Sequence, residues 1–453
     1  MLKNIKLRNL KSVTFKVNSF AVPTKKPRML KHTIYPTRNV GFTAKRGALE
    51  PGFGIERLRM TVEEGWQQYE EVILRQIDTT QIKKVFCFST HQDGEITNCI
   101  IVVTEQGVYF VPLFGSLTPR LIPNTDIIDF DCFAYSYSRD RDFIFAANSS
   151  GVFVADYSLL FQPLSTNICN AKQMLVFDKR LFVLGEDGET IHFTASLDLL
   201  KFDGSIRVEQ GFGKILSLEA YGNKLLVVCE NGFKVLETSF DARKFKLTDL
   251  CRSYEGIIDG TTKALGDTIY FLTKGGMCQA VRGKISQLDI CFECPGPAHS
   301  TIYDNKYFLS NGTDMVVIER FVDSVTIYEG LGVRGFERVF NEHTDRLAVL
   351  TDAPGLVYQI EKGVDGNTAC VWETEEFCLT YASGNQYVRQ VLVQTATDID
   401  VVVISNRAEQ RIRVNGAPDI QRLSLNIKGE TFRIRIIASG VVDISALSVV
   451  VGF

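Results

Sequence analysis

One pattern recurs between about residues 80 and 382: an apolar run, a short polar turn that contains glycine, and a second apolar run. Ile100-Ile-Val-Val103 meets Val108-Tyr-Phe-Val111 across Gly107, and Phe143-Ile-Phe-Ala146 meets Val152-Phe-Val154 across Gly151. Leu181–Leu184 meets Thr190–Phe193 across Gly188, and Leu225–Val228 meets Phe233–Leu236 across Gly232. Ile269–Leu272 meets Met277–Val281 across Gly275 and Gly276. Tyr307–Leu309 meets Met315–Ile318 across Gly312, and Leu347–Leu350 meets Leu356–Ile360 across Gly355. The turn glycines lie 44, 37, 44, 43, 37 and 43 residues apart, counting from Gly107 through Gly275 to Gly355.

Continuous apolar runs of four or five residues predict strands buried on both faces. A hairpin apolar on both faces cannot stand alone in water. Stacking such hairpins radially covers both faces and leaves only short edges, and a period of roughly 40 residues is that of a four-stranded propeller blade. Seven hairpins predict about seven blades; the less regular outer strands leave six or eight open. A solenoid needs a shorter period, and tandem sandwiches do not predict near-equal intervals.

The pattern changes after residue 386. Tyr387–Gln394, Ile399–Ile404, Arg411–Val414, Leu423–Ile427, Phe432–Ala438 and Leu447–Val451 alternate apolar and polar residues, separated by turn signals at Asn415-Gly416, Lys428-Gly429 and Ser439-Gly440. About six short half-buried strands predict a small β-sandwich-like domain. Residues 1–59 hold Pro, Gly and basic residues with little periodicity and predict an extended arm. Thr61 and Glu64 form a capping-box pair that could open a short helix, which Gly65 weakens. The expected organisation is an arm over 1–59, a propeller over 60–382 and the small domain over 383–453.

Charge divides the chain in the same way. Residues 1–49 carry eight Lys and four Arg and no acid, so the remainder carries −15 (−3 minus +12). Lys3, Lys6, Arg8, Lys11, Lys16, Lys25, Lys26, Arg28, Lys31 and Arg38 are therefore candidate partner-binding residues. Two readings stand. One is a solvated tail; the other is an arm on an acidic protein surface or on nucleic acid, where each neutralised phosphate adds salt-sensitive affinity. Eleven scattered cysteines, several inside strand runs, fit reduced thiols in a reducing compartment. No apolar h-region follows Met1 and no run of 18 apolar residues occurs, so neither a secretory signal nor membrane insertion is expected. A mitochondrial presequence fits the acid-free composition but is interrupted by Pro23, Pro27 and Pro36.

Catalysis needs clustered, tuned groups. The five histidines, His32, His91, His192, His299 and His343, are far apart, and no HExxH, P-loop or G-x-S-x-G motif is present. Cys291-x-x-Cys294, with Cys278 before it and His299 after it, is the only metal-like spacing, and it lacks the second cysteine pair of a zinc site. Gly52-Phe-Gly54 is read as a backbone bend, and the sequons at Asn148 and Asn311 fall in predicted hairpin turns. These readings predict a protein that is not an enzyme and holds no cofactor and no metal.

Trp372-Glu-Thr-Glu-Glu-Phe377, Tyr387–Val393, Leu425-Asn-Ile-Lys-Gly-Glu-Thr-Phe-Arg-Ile434 and Ile444–Val449 together resemble the closing segment of propeller proteins from the virions of tailed bacteriophages and prophages. Gly47–Gly54 and Asp267–Gly276 resemble the N-terminal segment and blade hairpins of the same proteins. The resemblance implies a structural component at the head–tail neck or tail, of the stabilisation or nozzle type. It implies a place in a symmetric ring and contacts with copies of itself and with portal, adaptor or tail proteins. The basic arm would touch one of these or packaged DNA. The chain would then be made in the host cytoplasm and reside in the virion. The alternative is a cellular propeller that serves as an interaction platform.

Overall fold

The computed structural model describes residues 12–24, 33–44, 48–50, 53–57, 83–92, 95–104, 107–112, 120–122, 132–136, 143–156, 159–320, 324–340, 345–351, 358–362, 370–379, 386–439 and 443–452. Among them the fold is all-β, with short 3-10 turns and no α-helix. The helix start at Thr61 lies outside the described residues. The chain divides into two compact units: 57–313 with 332–359, and 1–56 with 314–331 and 360–453.

The first of these is a β-propeller. Five antiparallel four-stranded sheets follow one another in sequence order, each with its strands in simple up-and-down succession. Blade one opens with Lys84–Gln92, blade two with Cys132–Ser136, blade three with Gln173–Phe177, blade four with Ile215–Tyr221 and blade five with Lys263–Leu265. Blade six contributes the hairpin His299–Tyr303 and Lys306–Ser310 to this unit, and blade seven opens with Val333–Phe340. These seven opening strands line up side by side, and the seventh lies against the first, which closes the ring.

The burial pattern explains the arrangement. The second and third strands of the blades are apolar almost throughout: Arg180–Leu184, Lys306–Ser310 and Thr268–Thr273 are buried at every position. Their two faces belong to different cores. Leu225 and Val227 pack with blade three, whereas Leu226 and Val228 pack with blade five. Alternate residues of one strand thus join neighbouring blades, and a fully buried Phe or Leu contributes roughly 1.5–3 kcal/mol in such a seam. In the seam of blades four and five, Phe233 meets Phe271 edge to face at 4.9 Å. Outer strands behave differently: Asp198–Arg207 is exposed at most positions, as the rim of a blade requires.

Hairpin turns carry glycine where the backbone demands it. Gly151 and Gly232 adopt φ of +142° and +146°, and a Cβ there would stand 2.3 Å from the Ser165 carbonyl and 2.4 Å from that of Cys251. These carbonyls belong to the blade's fourth strand or the residue ending it, so the turn glycine lets that strand close over the hairpin.

The second unit is a two-layer sandwich. One sheet runs in the order Thr33–Ile34, Val13–Val17, Ile444–Gly452, Gln386–Thr395, Ala417–Gly429. The other contains Ser324–Tyr328, Pro36–Val40, Cys370–Thr374, Phe432–Ala438, Ile399–Ser405 and Glu409–Val414 in that order. Between them lies one core, with Val388, Val391 and Val449 from the first sheet and Trp372, Val401 and Ile436 from the second. All six strands expected after residue 386 are present.

Two expectations are corrected here. The N-terminal segment is extended, but it is not an arm without a place in the core. Val13–Val17 pairs antiparallel with the last strand, Phe15 against Val449, and Pro36–Val40 pairs with Cys370–Thr374. Phe15, Phe20, Ile34, Phe42 and Leu49 are buried, and Trp372 donates its indole N–H to the Phe20 carbonyl at 2.8 Å. On Val13–Val17 the exposed Lys16 alternates with the buried Phe15 and half-buried Val17, as strand side chains must when one face is solvated and the other buried. The boundaries at 59 and 382 also shift. Cys370–Thr374 belongs to the sandwich because it is bonded between Pro36–Val40 and Phe432–Ala438. Glu373 is held on that strand by Arg433 and Arg435, each at 2.7 Å. Burial raises its pKa, but the two guanidinium groups more than offset this and leave it below the usual carboxylate range.

Removal of residues 1–40 therefore deletes four described strands and the large core side chains Phe15, Phe20 and Ile34, and the sandwich signal in near-UV circular dichroism should be lost. A truncated chain with an unchanged spectrum would contradict the pairing. In the propeller, Phe271→Ala should cost about 3–5 kcal/mol in urea melts, and a loss below about 1 kcal/mol would contradict its place in the seam.

Candidate functional site

The seven opening strands surround a cavity of about 500 Å³ on the propeller axis, and every blade lends it at least one residue. Lys84, Val85 and Phe86 come from blade one, Phe133 from blade two, Gln173 from blade three, Ser217 and Glu219 from blade four, Thr262 and Lys263 from blade five, His299 and Ser300 from blade six, and Arg334 to Glu337 from blade seven. The volume lies within the range of small-molecule sites, roughly 300–1,000 Å³.

Many of the polar groups here fasten one blade to the next. The Gln173 carboxamide donates to the Leu218 carbonyl at 2.9 Å and accepts from the Leu218 amide at 2.7 Å, which joins blades three and four. Lys263 pairs with Glu219 at 2.6 Å, joining blades five and four. Ser300 donates to the Gly260 carbonyl at 2.7 Å, and the buried Tyr307 hydroxyl donates to the Thr261 carbonyl, joining blades six and five. Tyr307 also stacks on Tyr270 at 5.2 Å. Ser310 donates to the Val333 carbonyl at 2.6 Å, joining blades six and seven. Phe86 stacks on Phe133 at 5.2 Å between blades one and two.

The remaining groups set the cavity's electrostatics. Glu337 is half-buried in the wall. Burial pushes its carboxyl up to about 8, against the Cys87 backbone amide and the Lys263 charge, which both favour the ionised form. His299 is pushed below its ordinary value, first by burial and then by the Arg334 charge, so its imidazole is neutral at neutral pH. The Arg334 guanidinium donates to the Thr351 carbonyl at 2.7 Å. Thr262 is 4% exposed, and its hydroxyl has no hydrogen-bond partner.

A second feature stands at the junction of blades three and four. Arg180 is 1% exposed, and its guanidinium donates to the carbonyls of Thr194, Ser239 and Phe240 at 2.5, 3.2 and 2.7 Å. It also sits over the rings of Phe193 and Phe245. Two exposed apolar side chains belong to residues whose backbones are tied to Arg180 or its neighbour Lys179. Phe240 is 75% exposed, and Leu197, whose amide donates to the Lys179 carbonyl, is 65% exposed in a left-handed conformation at φ +65°.

The ten basic candidates fall mostly elsewhere. Lys3, Lys6, Arg8, Lys11, Lys25, Lys26, Arg28 and Lys31 lie outside the described residues. Lys16 is exposed on the strand Val13–Val17, and Arg38 pairs with Glu329 at 3.2 Å on the surface of the sandwich. Cys291 is exposed, and the Cys294 thiol contacts the Gly296 carbonyl at 3.4 Å. Among the described residues, no three His, Cys, Asp or Glu side chains stand together as metal ligands. Nor is any helix among them long and apolar enough to cross a membrane.

The channel residues escaped the reading of the hairpins because they precede them. Their signal is the same repeat one strand earlier: Gln173, Ser217, Thr262 and His299 follow one another at 44, 45 and 37 residues.

No protein-family model and no curated protein matches the sequence. Solved structures do resemble it. An extracellular domain from B. thetaiotaomicron is 9% identical with a TM-score of 0.46, over 82% of this chain and 47% of that one. PorZ, a surface component of the type-IX secretion system of Porphyromonas gingivalis, is 11% identical with a TM-score of 0.44, over 74% and 45%. The Neurospora crassa Pan2 WD40 domain is 10% identical with a TM-score of 0.41, over 64% and 91%. The chain thus spans about half the length of the first two.

Glu337 makes stability depend on pH. The folded carboxyl keeps its proton up to about 8, whereas the unfolded one releases it near 4.5, so the folded state binds more protons between these values. Stability therefore falls as pH rises through that window. The side chain keeps some solvent contact, so the effect is smaller than for a fully buried carboxyl. Urea melts should lose about 2 kcal/mol between pH 5 and pH 8, and Glu337→Gln should remove that slope. Equal slopes in the two proteins would contradict the assignment.

Proposed function

We propose that the chain is a non-enzymatic structural protein that works through protein–protein contacts, as a component of the neck or tail of a tailed-phage virion. The observation that carries the contact role is the exposure of Leu197 and Phe240, whose backbones are tied to Lys179 and to Arg180. A leucine in the left-handed region is conformationally costly, and an exposed leucine gains nothing from burial in the free chain. Both costs are offset if a neighbouring protein covers the residue. Phe240 is similarly preset, since its backbone is held by a buried guanidinium and loses little freedom on docking.

The virion assignment rests on the resemblance of Trp372–Phe377 and Leu425–Ile434 to the closing segments of phage propeller proteins. In that setting the neighbours are copies of the chain around the tail axis and the adjoining portal, adaptor or tail proteins. The basic N-terminal residues add an electrostatic contact to one of these or to packaged DNA.

Antibody against the chain should label purified phage particles at the neck or tail in immunogold micrographs. Its absence from particles would overturn the virion assignment. Phe240→Asp changes an exposed position and should alter stability by less than about 0.5 kcal/mol, yet it should lower incorporation at least several-fold. Normal incorporation of this variant would overturn the contact role while leaving the location intact.

A further inference from the structure

We propose that the outer face of the first sandwich sheet binds duplex DNA through its phosphate backbone, without reading sequence. The face is built from the strands Val13–Val17, Ile444–Gly452, Gln386–Thr395 and Ala417–Gly429, which lie side by side in that order. On such strands alternate residues enter the core, and the residues between them face outward. In the last strand Leu425 and Ile427 are core residues, whereas Arg422, Ser424, Asn426 and Lys428 are exposed. In the first strand Phe15 is a core residue, whereas Thr14 and Lys16 are exposed.

Charge sets this face apart. The four strands carry four cations, Lys16, Arg389, Arg422 and Lys428, and one acid, Asp419. Asp419 falls in step with the inward positions Leu425 and Ile427, not with Arg422 and Lys428. The chain beyond residue 49 carries −15 (−3 minus +12), so an acid-poor face runs against its composition. Arg389 is engaged within the sheet: it donates to the Asn426 carboxamide oxygen at 3.1 Å and lies 4.7 Å over the Tyr387 ring. Lys16, Arg422 and Lys428 are exposed and form no ion pair among the described residues.

The spacing of these three cations favours a duplex over a small anion. Lys16 is in register with Ser448, Ser448 with Leu392, and Leu392 with Arg422. Lys16 and Arg422 therefore stand three strand spacings apart, about 14 Å. Lys428 follows Arg422 on the same strand, about 20 Å further along it. Cations spread in this way cannot converge on one small molecule, but they match phosphates on the two sides of a groove roughly 12 Å wide. Thr14, Ser424 and Ser448 place hydroxyl groups between them, of the kind that joins Arg and Lys in phosphate contacts. Arg389 covers one side of the Tyr387 ring, which removes a stacking platform that a single strand would use. Residues 1–11 add Lys3, Lys6, Arg8 and Lys11 and no acid, and they join the sheet at Ser12, which with Arg389 borders Gly452.

The test is fluorescence anisotropy of a labelled duplex of random sequence with the full chain, between about 50 and 200 mM salt. The duplex should bind, and log K should fall with log salt with a slope of about −3 or steeper. A second sequence should give the same affinity. Arg422→Gln combined with Lys428→Gln changes two exposed side chains; it should leave the melting temperature unchanged and make the slope shallower by about 2. Deletion of residues 1–11 removes no described strand, and binding should persist in that variant. Failure of the duplex to bind, an unchanged slope in the double variant, or loss of all binding on the deletion would overturn the proposal. So would tighter binding of polyglutamate or of single-stranded DNA than of the duplex. The proposal does not rest on the virion reading, and none of these outcomes bears on whether the chain is found in virions.

Discussion

The propeller depends on one constraint, clearest in blade four: its middle strands are apolar on both faces. Leu225 and Val227 look to one neighbour while Leu226 and Val228 look to the other, so a blade has no solvent face that it could present alone. Such a strand is stable only between two others of its kind, and a row of such blades always leaves two uncovered ends. Closure removes those ends. The seventh opening strand against the first therefore completes the burial that each blade needs.

Closure also creates the site. The seven opening strands leave a cavity of about 500 Å³ between them. The groups that point there are asked to do two things. Gln173, Ser300 and the Lys263–Glu219 pair fasten adjacent blades. Thr262 and Glu337 instead sit in environments that burial makes costly, and a site of this kind is where such costs gather. The sandwich solves its own burial problem by other means, recruiting chain from three places so that the first described strand pairs with the last.

Much of the fold was legible in the sequence. Runs such as Leu225–Val228 and Phe233–Leu236 are continuous, glycine-punctuated and evenly spaced, and repetition turns a weak local signal into a strong one. The alternation in Phe432–Ala438 was equally plain and is matched by its buried and half-buried positions. The role of the N-terminal segment was not legible, because its strands are two to five residues long and are interrupted by prolines and by a charge that dominates the composition. Val13-Thr-Phe-Lys-Val17 alternates, but five residues cannot be told from chance without the partner strand, which lies more than four hundred residues away. The channel was hidden for another reason. The opening strands bear mixed polar residues with different tasks, and only their spacing repeats. Leu197 and Phe240 gave no sequence signal, since an exposed apolar residue looks like any other until the structure shows where it stands.

Native-state hydrogen exchange most directly tests the claim that no blade stands without its neighbours. Amides of Phe182–Leu184, Leu226–Val228 and Ile269–Leu272 should open with one common free energy, equal to that of global unfolding of the propeller. Distinct opening energies for single blades, well below the global value, would contradict the account.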